Sequence, residues 1–191
     1  MKLLKLYLAL LYINISIVTL KSQDTKIYTK VAYGNYTMDE FFQAKSNVLP
    51  STFSRSNIKS KGAIFISFNH PISERISAGA SLGSTKITSE IASFSQPDGL
   101  MNRNLYTLAI ESDFIYFKRQ NYQLYGVAGY GYTLGRDEYF TANGQTGKGS
   151  VGFMAFQLNP IAFKYGNKIA LFAELGFGYK GIINFGFMYG F

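Results

Sequence analysis

The sequence predicts an all-β chain: a closed antiparallel transmembrane β-barrel of about eight strands, following a cleaved signal peptide. Three observations carry this. The N-terminal segment is apolar but short for a membrane-spanning helix. The rest of the chain alternates at period two, with large apolar or aromatic side chains on one face and small ones on the other. The last strand ends on an aromatic residue, Phe191.

The leader comes first. Lys2 and Lys5 give a positive start, Leu6 to Leu20 is almost wholly apolar, and Ser22 offers a small residue for cleavage before Gln23. Roughly 15 apolar residues fall short of the ~20 that a helix needs to cross a bilayer, so the segment reads as an export signal and not an anchor. The expected division is residues 1–22 as signal peptide and 23–191 as a single barrel domain.

The strands follow in order. The first is expected at Lys26 to Gly34. Ala63 to Asn69 and Arg75 to Gly83 are joined through His70-Pro71, where proline is tolerated because no ladder hydrogen bond is needed. Leu105 to Tyr116 and Tyr122 to Leu134 flank the turn Phe117 to Asn121, and Val151 to Leu158 ends near Asn159-Pro160. The segment from Lys168 to Tyr179 sets Ile169, Leu171, Ala173, Leu175, Phe177 and Tyr179 against Lys168, Ala170, Phe172, Glu174, Gly176 and Gly178. After the tight connection Lys180-Gly181, the final strand places Ile183, Phe185, Phe187, Tyr189 and Phe191 on one face. Connections near His70, Arg119 and Gly166 are short. Asn35 to Lys61, Ser84 to Asn104 and Gly135 to Gly149 are long and polar, as expected of short periplasmic turns and longer outer loops.

The second face of these strands is dominated by Gly, Ala and Ser, which suits the crowded interior of a narrow barrel better than the wet face of a sandwich. Lys30, Arg75, Glu111, Asp113 and Glu174 fall on that inner face by parity, where opposite charges can pair. Tyr33, Tyr106, Tyr116, Tyr132, Tyr179 and Tyr189 lie near strand ends, as an interfacial girdle requires.

Composition narrows the function classes. The chain is 17% aromatic, with 15 Tyr, 17 Phe and 19 Gly, and it has no Cys, which excludes disulfides, thiolate nucleophiles and thiolate metal sites. The net charge is +8, and without the three lysines of the leader 16 basic residues face 11 acidic ones. Behind an export signal, that excess points to anionic lipid headgroups and away from nucleic acid.

Phe172 to Phe187, finishing at Phe191, and the Tyr-Gly-rich stretch Leu124 to Tyr132 resemble the outer-membrane β-barrel proteins of the Bacteroidetes type, OmpX/OmpA-like eight-stranded barrels. The likeness extends from about Ala63 onward. Phe187, Tyr189 and Phe191 also resemble the assembly signal read by the barrel-assembly machinery. The resemblance implies fold, export route and an address in the outer membrane of a Gram-negative bacterium; it carries no catalytic motif.

Apparent chemical motifs have simpler readings. Gly176 to Gly181 matches G-x-G-x-x-G, but a strand follows where a helix and an acidic ribose partner would be needed. Gly144 to Ser150 lacks the Gly-Lys-Ser/Thr of a phosphate loop. The single histidine, His70, sits in a predicted turn with no nucleophile set beside it. Asp39-Glu40 and Asp137-Glu138 are acidic pairs without a full oxygen set, so no metal and no cofactor is expected. The expected role is therefore non-enzymatic: a structural or surface-interaction barrel with outer-membrane lipid around it and an extracellular ligand at its loops. Apolar Phe41, Phe42, Val48, Leu49 and Phe53 in the first loop favour a small cap or a contact surface there. The alternatives are a narrow porin-like channel for ions or small solutes and, behind it, a lipid-modifying enzyme.

Overall fold

A computed structural model describes residues 27–38, 53–93 and 96–191; the leader and the apolar residues Phe41 to Leu49 lie outside the described residues, and so do Asp39 and Glu40. Eight strands form one closed antiparallel barrel in sequence order. They are β1 Tyr28–Asn35, β2 Phe53–Pro71, β3 Ile76–Ser93, β4 Gln96–Lys118, β5 Tyr122–Thr141, β6 Thr146–Gly166, β7 Ile169–Gly178 and β8 Ile183–Gly190. The seam joins β1 to β8 from Tyr28↔Gly190 to Asn35↔Ile183, leaving no free edge along that stretch. The end where Tyr28 meets Gly190 is called the near end here, and the opposite one the far end.

Parity decides the two surfaces. Val31, Ile64, Ile66, Phe68, Leu82, Leu108 and Phe187 point outward and are exposed, with Ile110 and Ile169 reaching 71% and 69%. Ala32, Phe65, Ser67, Ser81, Ala109, Ala155 and Ala170 alternate with them and are buried within the barrel. Around the near end, outward aromatics touch in series: Phe117 and Tyr122 at 5.7 Å, Tyr122 and Phe163 at 6.4 Å, Tyr189 and Phe191 at 5.0 Å between ring centroids.

Two expectations about the far end are corrected. The segments expected as long polar loops, Ser84 to Asn104 and Gly135 to Gly149, are mostly strand: β3 and β4 pair from Ile76↔Phe114 to Ser93↔Gln96, and β5 and β6 pair as far as Phe140↔Thr146. Their polarity hides a sustained alternation, with Thr85, Ile87, Ser89 and Ile91 buried on one face. β4 is 23 residues long and β1 only 8, so the β2–β6 arc rises well above the β7–β8–β1 arc. Tyr179, expected in the outward girdle, is buried inside. β7 stops at Gly178, and left-handed backbone at Gly178 (φ 148°) and Gly181 (φ 104°) folds the β7–β8 turn inward over the lumen.

The near-end turns are short and locally bonded. The Ser73 hydroxyl accepts from the Arg75 and Ile76 amides at 3.3 and 3.1 Å, closing the β2–β3 turn. This corrects the placement of Arg75: β3 begins one residue later than parity suggested, and Arg75 is exposed in the turn, outside the interior charge set.

Candidate functional site

The lumen is filled by a layered polar network. Lys30 of β1 reaches across to Asp113 of β4 at 2.8 Å and Glu174 of β7 at 3.2 Å. The Tyr125 hydroxyl donates to Glu174 at 3.0 Å, the Asn159 amide donates to its second oxygen at 2.8 Å, and the Lys30 ammonium lies 4.8 Å from the Tyr125 ring centre. The Tyr28 hydroxyl donates to Asp113 at 2.6 Å and shares a 2.5 Å hydrogen bond with Ser77.

A second layer lies farther up. The inward turn delivers Lys180 to Glu111 at 2.6 Å, and Tyr179 donates to the same carboxylate at 2.6 Å. Gln157 clasps the turn from β6, accepting from the Lys180 amide at 2.7 Å and donating to the Gly181 carbonyl at 3.2 Å. The turn also needs the absence of a side chain at Gly34, where a Cβ would lie 1.7 Å from the Lys180 carbonyl oxygen. Above this, Arg103 of β4 forms a two-pronged pair with Asp137 of β5 at 2.7 and 2.8 Å.

Lys30, Glu111, Asp113 and Glu174, selected by parity, thus lie inside the barrel, with Lys30 joining Asp113 to Glu174 and Glu111 held separately. Lys180, Arg103 and Asp137 were missed. Lys180 belongs to the tight connection after Tyr179, to which the period-two reading assigns no face, and Arg103 and Asp137 lie in segments whose polarity reads as loop. Asp137 and Glu138 point to opposite faces, since Glu138 pairs with exposed Lys148 at 3.0 Å, so they do not converge on a cation. His70 lies on the exposed outer face of β2, where it pairs across the ladder with Ala78. Phe187, Tyr189 and Phe191 are exposed along the outer side of the last strand.

Below the Lys30 layer the barrel opens at its near end into a cavity of about 840 Å³. Tyr28, Ser77 and Met188 form its floor, and Lys118, Gln123 and Lys164 line its wall.

No protein-family model and no curated protein matches the chain. Among solved structures, it is similar to Ail, the attachment invasion locus protein of Yersinia pestis, at 11% identity and a TM-score of 0.44, over 87% of this chain and 94% of that one. It is also similar to the same Yersinia pestis protein solved in complex with the heparin analogue sucrose octasulfate, at 12% identity and a TM-score of 0.41, over 87% and 94%.

Proposed function

We propose that this chain is an integral outer-membrane β-barrel of a Gram-negative bacterium, delivered by the 1–22 leader, which anchors a far-end β-surface for contact with an extracellular partner. One observation carries the reading: the closed barrel is apolar outside and charged inside. In water, the contiguous outer surface from Val31 round to Phe187 would far exceed the few hundred Å² of apolar patch that soluble monomers tolerate. In hydrocarbon it is the favourable surface, and closure satisfies the backbone groups that lipid cannot.

Length supports the orientation. A tilted strand crosses a bilayer with about 9–11 residues; β7 has 10, and β1 and β8, at 8 each, come within a residue of that span. The 23 residues of β4 leave roughly 40 Å of strand beyond that, at about 3.3 Å per residue, rising above the far end. The outward run Phe187, Tyr189, Phe191 fits a signal for the barrel-assembly machinery, and the resemblance to the Bacteroidetes-type barrels belongs with this proposal. A conducting lumen is disfavoured by the Lys30 and Lys180 layers, which fill the bore with paired side chains. A lipid-modifying role finds no support at His70, whose side chain lies exposed on the outer face of β2 and makes no hydrogen bond among the described residues.

The test is heat-modifiable migration of the membrane fraction combined with protease treatment of intact cells. A mobility shift on boiling, with cleavage confined to far-end connections such as 142–145, is expected. Recovery in the soluble fraction without a shift would refute the barrel in lipid, and cleavage only at the near-end turns would reverse its orientation.

A further inference from the structure

We infer that the near-end mouth is a binding site for a phosphate-class anion, held by Lys118 and Lys164 in the throat and by Arg119 and Lys168 at the rim. The cavity of about 840 Å³ has the size of a small-molecule site, and all four residues line it, the charged groups of Arg119 and Lys168 lying at its edge, 5.6 and 5.4 Å from the ring centres of Phe117 and Tyr189. Arg75 adds a fifth positive charge, against one acidic residue, Glu74. Among the described residues, none of these five cations has a carboxylate within ion-pairing distance, and Glu74 pairs with none of them.

The backbone departs from regularity to put the two throat lysines there. In β6 the ladder to β5 steps from Val127↔Asn159 to Tyr125↔Ala162, inserting an extra residue at Pro160-Ile161. Asn159 and Ala162 both face the lumen, and Lys164 follows Ala162 inward; without the bulge it would face outward. In β4 the ladder steps from Ile115↔Tyr125 to Phe117↔Leu124, so Phe117 points out and Lys118, exposed at the end of the strand, falls on the inward side at the mouth. The register then sets Lys118, Gln123 and Lys164 in one row across β4, β5 and β6. Two ammonium groups flank an amide with donors of its own.

Nothing in packing alone calls for this arrangement. The other inward lysines, Lys30 and Lys180, each meet a carboxylate within 3.2 Å. Lys118 and Lys164 face each other's charge across one row, and Lys164 is half-buried, so the mouth carries a repulsion that an anion with several charges relieves. A phosphate or diphosphate group matches compact ammonium charges arrayed on two sides, with guanidinium groups at the entrance. The chemistry serves a soluble phosphorylated compound and a lipid phosphate entering from the rim equally well. The cavity and its charges are the same whatever surrounds the outer face.

The full chain in an uncharged maltoside detergent, titrated with inorganic pyrophosphate at fixed ionic strength in a calorimeter, tests it. Saturable binding of one pyrophosphate per chain is expected, weakened about tenfold or more in the Lys118→Gln/Lys164→Gln double variant. Lys148→Gln, which removes an exposed far-end lysine, is expected to leave binding unchanged. Each variant is first checked for the heat-dependent mobility shift of a folded barrel. Should the double variant not fold, Lys168→Gln at the exposed rim replaces it, with weakening of about threefold expected. Absence of saturable binding, or equal weakening by Lys148→Gln, overturns the site. Dihexanoyl phosphatidylglycerol added below its micellar concentration then separates the sources: displacement of pyrophosphate assigns the site to a lipid headgroup, and failure to displace assigns it to a soluble anion.

Discussion

Inward lysines have two different fates in this barrel. At mid-lumen, Lys30 and Lys180 are buried and each is tied to carboxylates on strands across the bore. At the near-end mouth, Lys118 and Lys164 face a cavity with no carboxylate partner among the described residues. The same side chain on the same face is a strut in one place and a free charge in the other. Depth decides: a charge with no access to water has to bring its counter-charge in the fold, whereas one at an opening can take it from outside.

Substitutions sharpen that contrast. The largest effect is expected for Lys30→Met, which leaves Asp113 and Glu174 facing each other without a cation; breaking such a buried pair costs about 3–5 kcal/mol. Urea titration of the folded barrel, read by its gel mobility, checks this, and an unchanged midpoint would mean that the lumen is wetter than the burial indicates. Lys180→Met is expected to cost a similar amount. Glu111→Leu in the same chain should restore most of it, because exchanging both members of a buried pair for apolar residues is far cheaper than removing one. A double-mutant cycle without coupling would dissociate the pair.

Gly34→Ala comes next, at about 1–3 kcal/mol, since its Cβ would meet the backbone of the inward turn as well as the Asn184 side chain, and that backbone cannot move aside as a side chain can. A matching fall in the urea midpoint is expected, while an unchanged one would show that the turn can lift. Smallest is Lys118→Gln or Lys164→Gln, within about 0.5 kcal/mol of the parent in the same titration. A loss as large as that of Lys30→Met would abolish the distinction between lumen and mouth.

Much of this was legible in the sequence, by one rule applied strictly. Period two assigns the outward faces of β7 and β8 and finds Lys30, Glu111, Asp113 and Glu174, because β1, β4 and β7 run regularly through those four residues. The rule misplaces what lies at an interruption. It puts Arg75 inside because it continues β3 through a turn residue, and it sends Tyr179 outward because it cannot see the chain fold back after Gly178. It also hides Lys164, whose orientation changes at Pro160-Ile161. Only that proline hints at the irregularity in the sequence. Arg103 and Asp137 were lost for a different reason: hydrophilic strands above a barrel alternate as faithfully as apolar ones, but polarity alone reads as loop.

The position of Lys30 also bears on how the barrel is made. It sits on β1, the first strand, while its two carboxylates belong to β4 and β7, and β1 meets its other neighbour only in β8. A sheet that has assembled as far as β6 therefore holds Lys30 with half its partners and Asp113 without the shielding of a closed bore. The interior network thereby favours the closed ring over any partial sheet that lacks the seventh strand, because only the complete ring gives Lys30 both of its carboxylates.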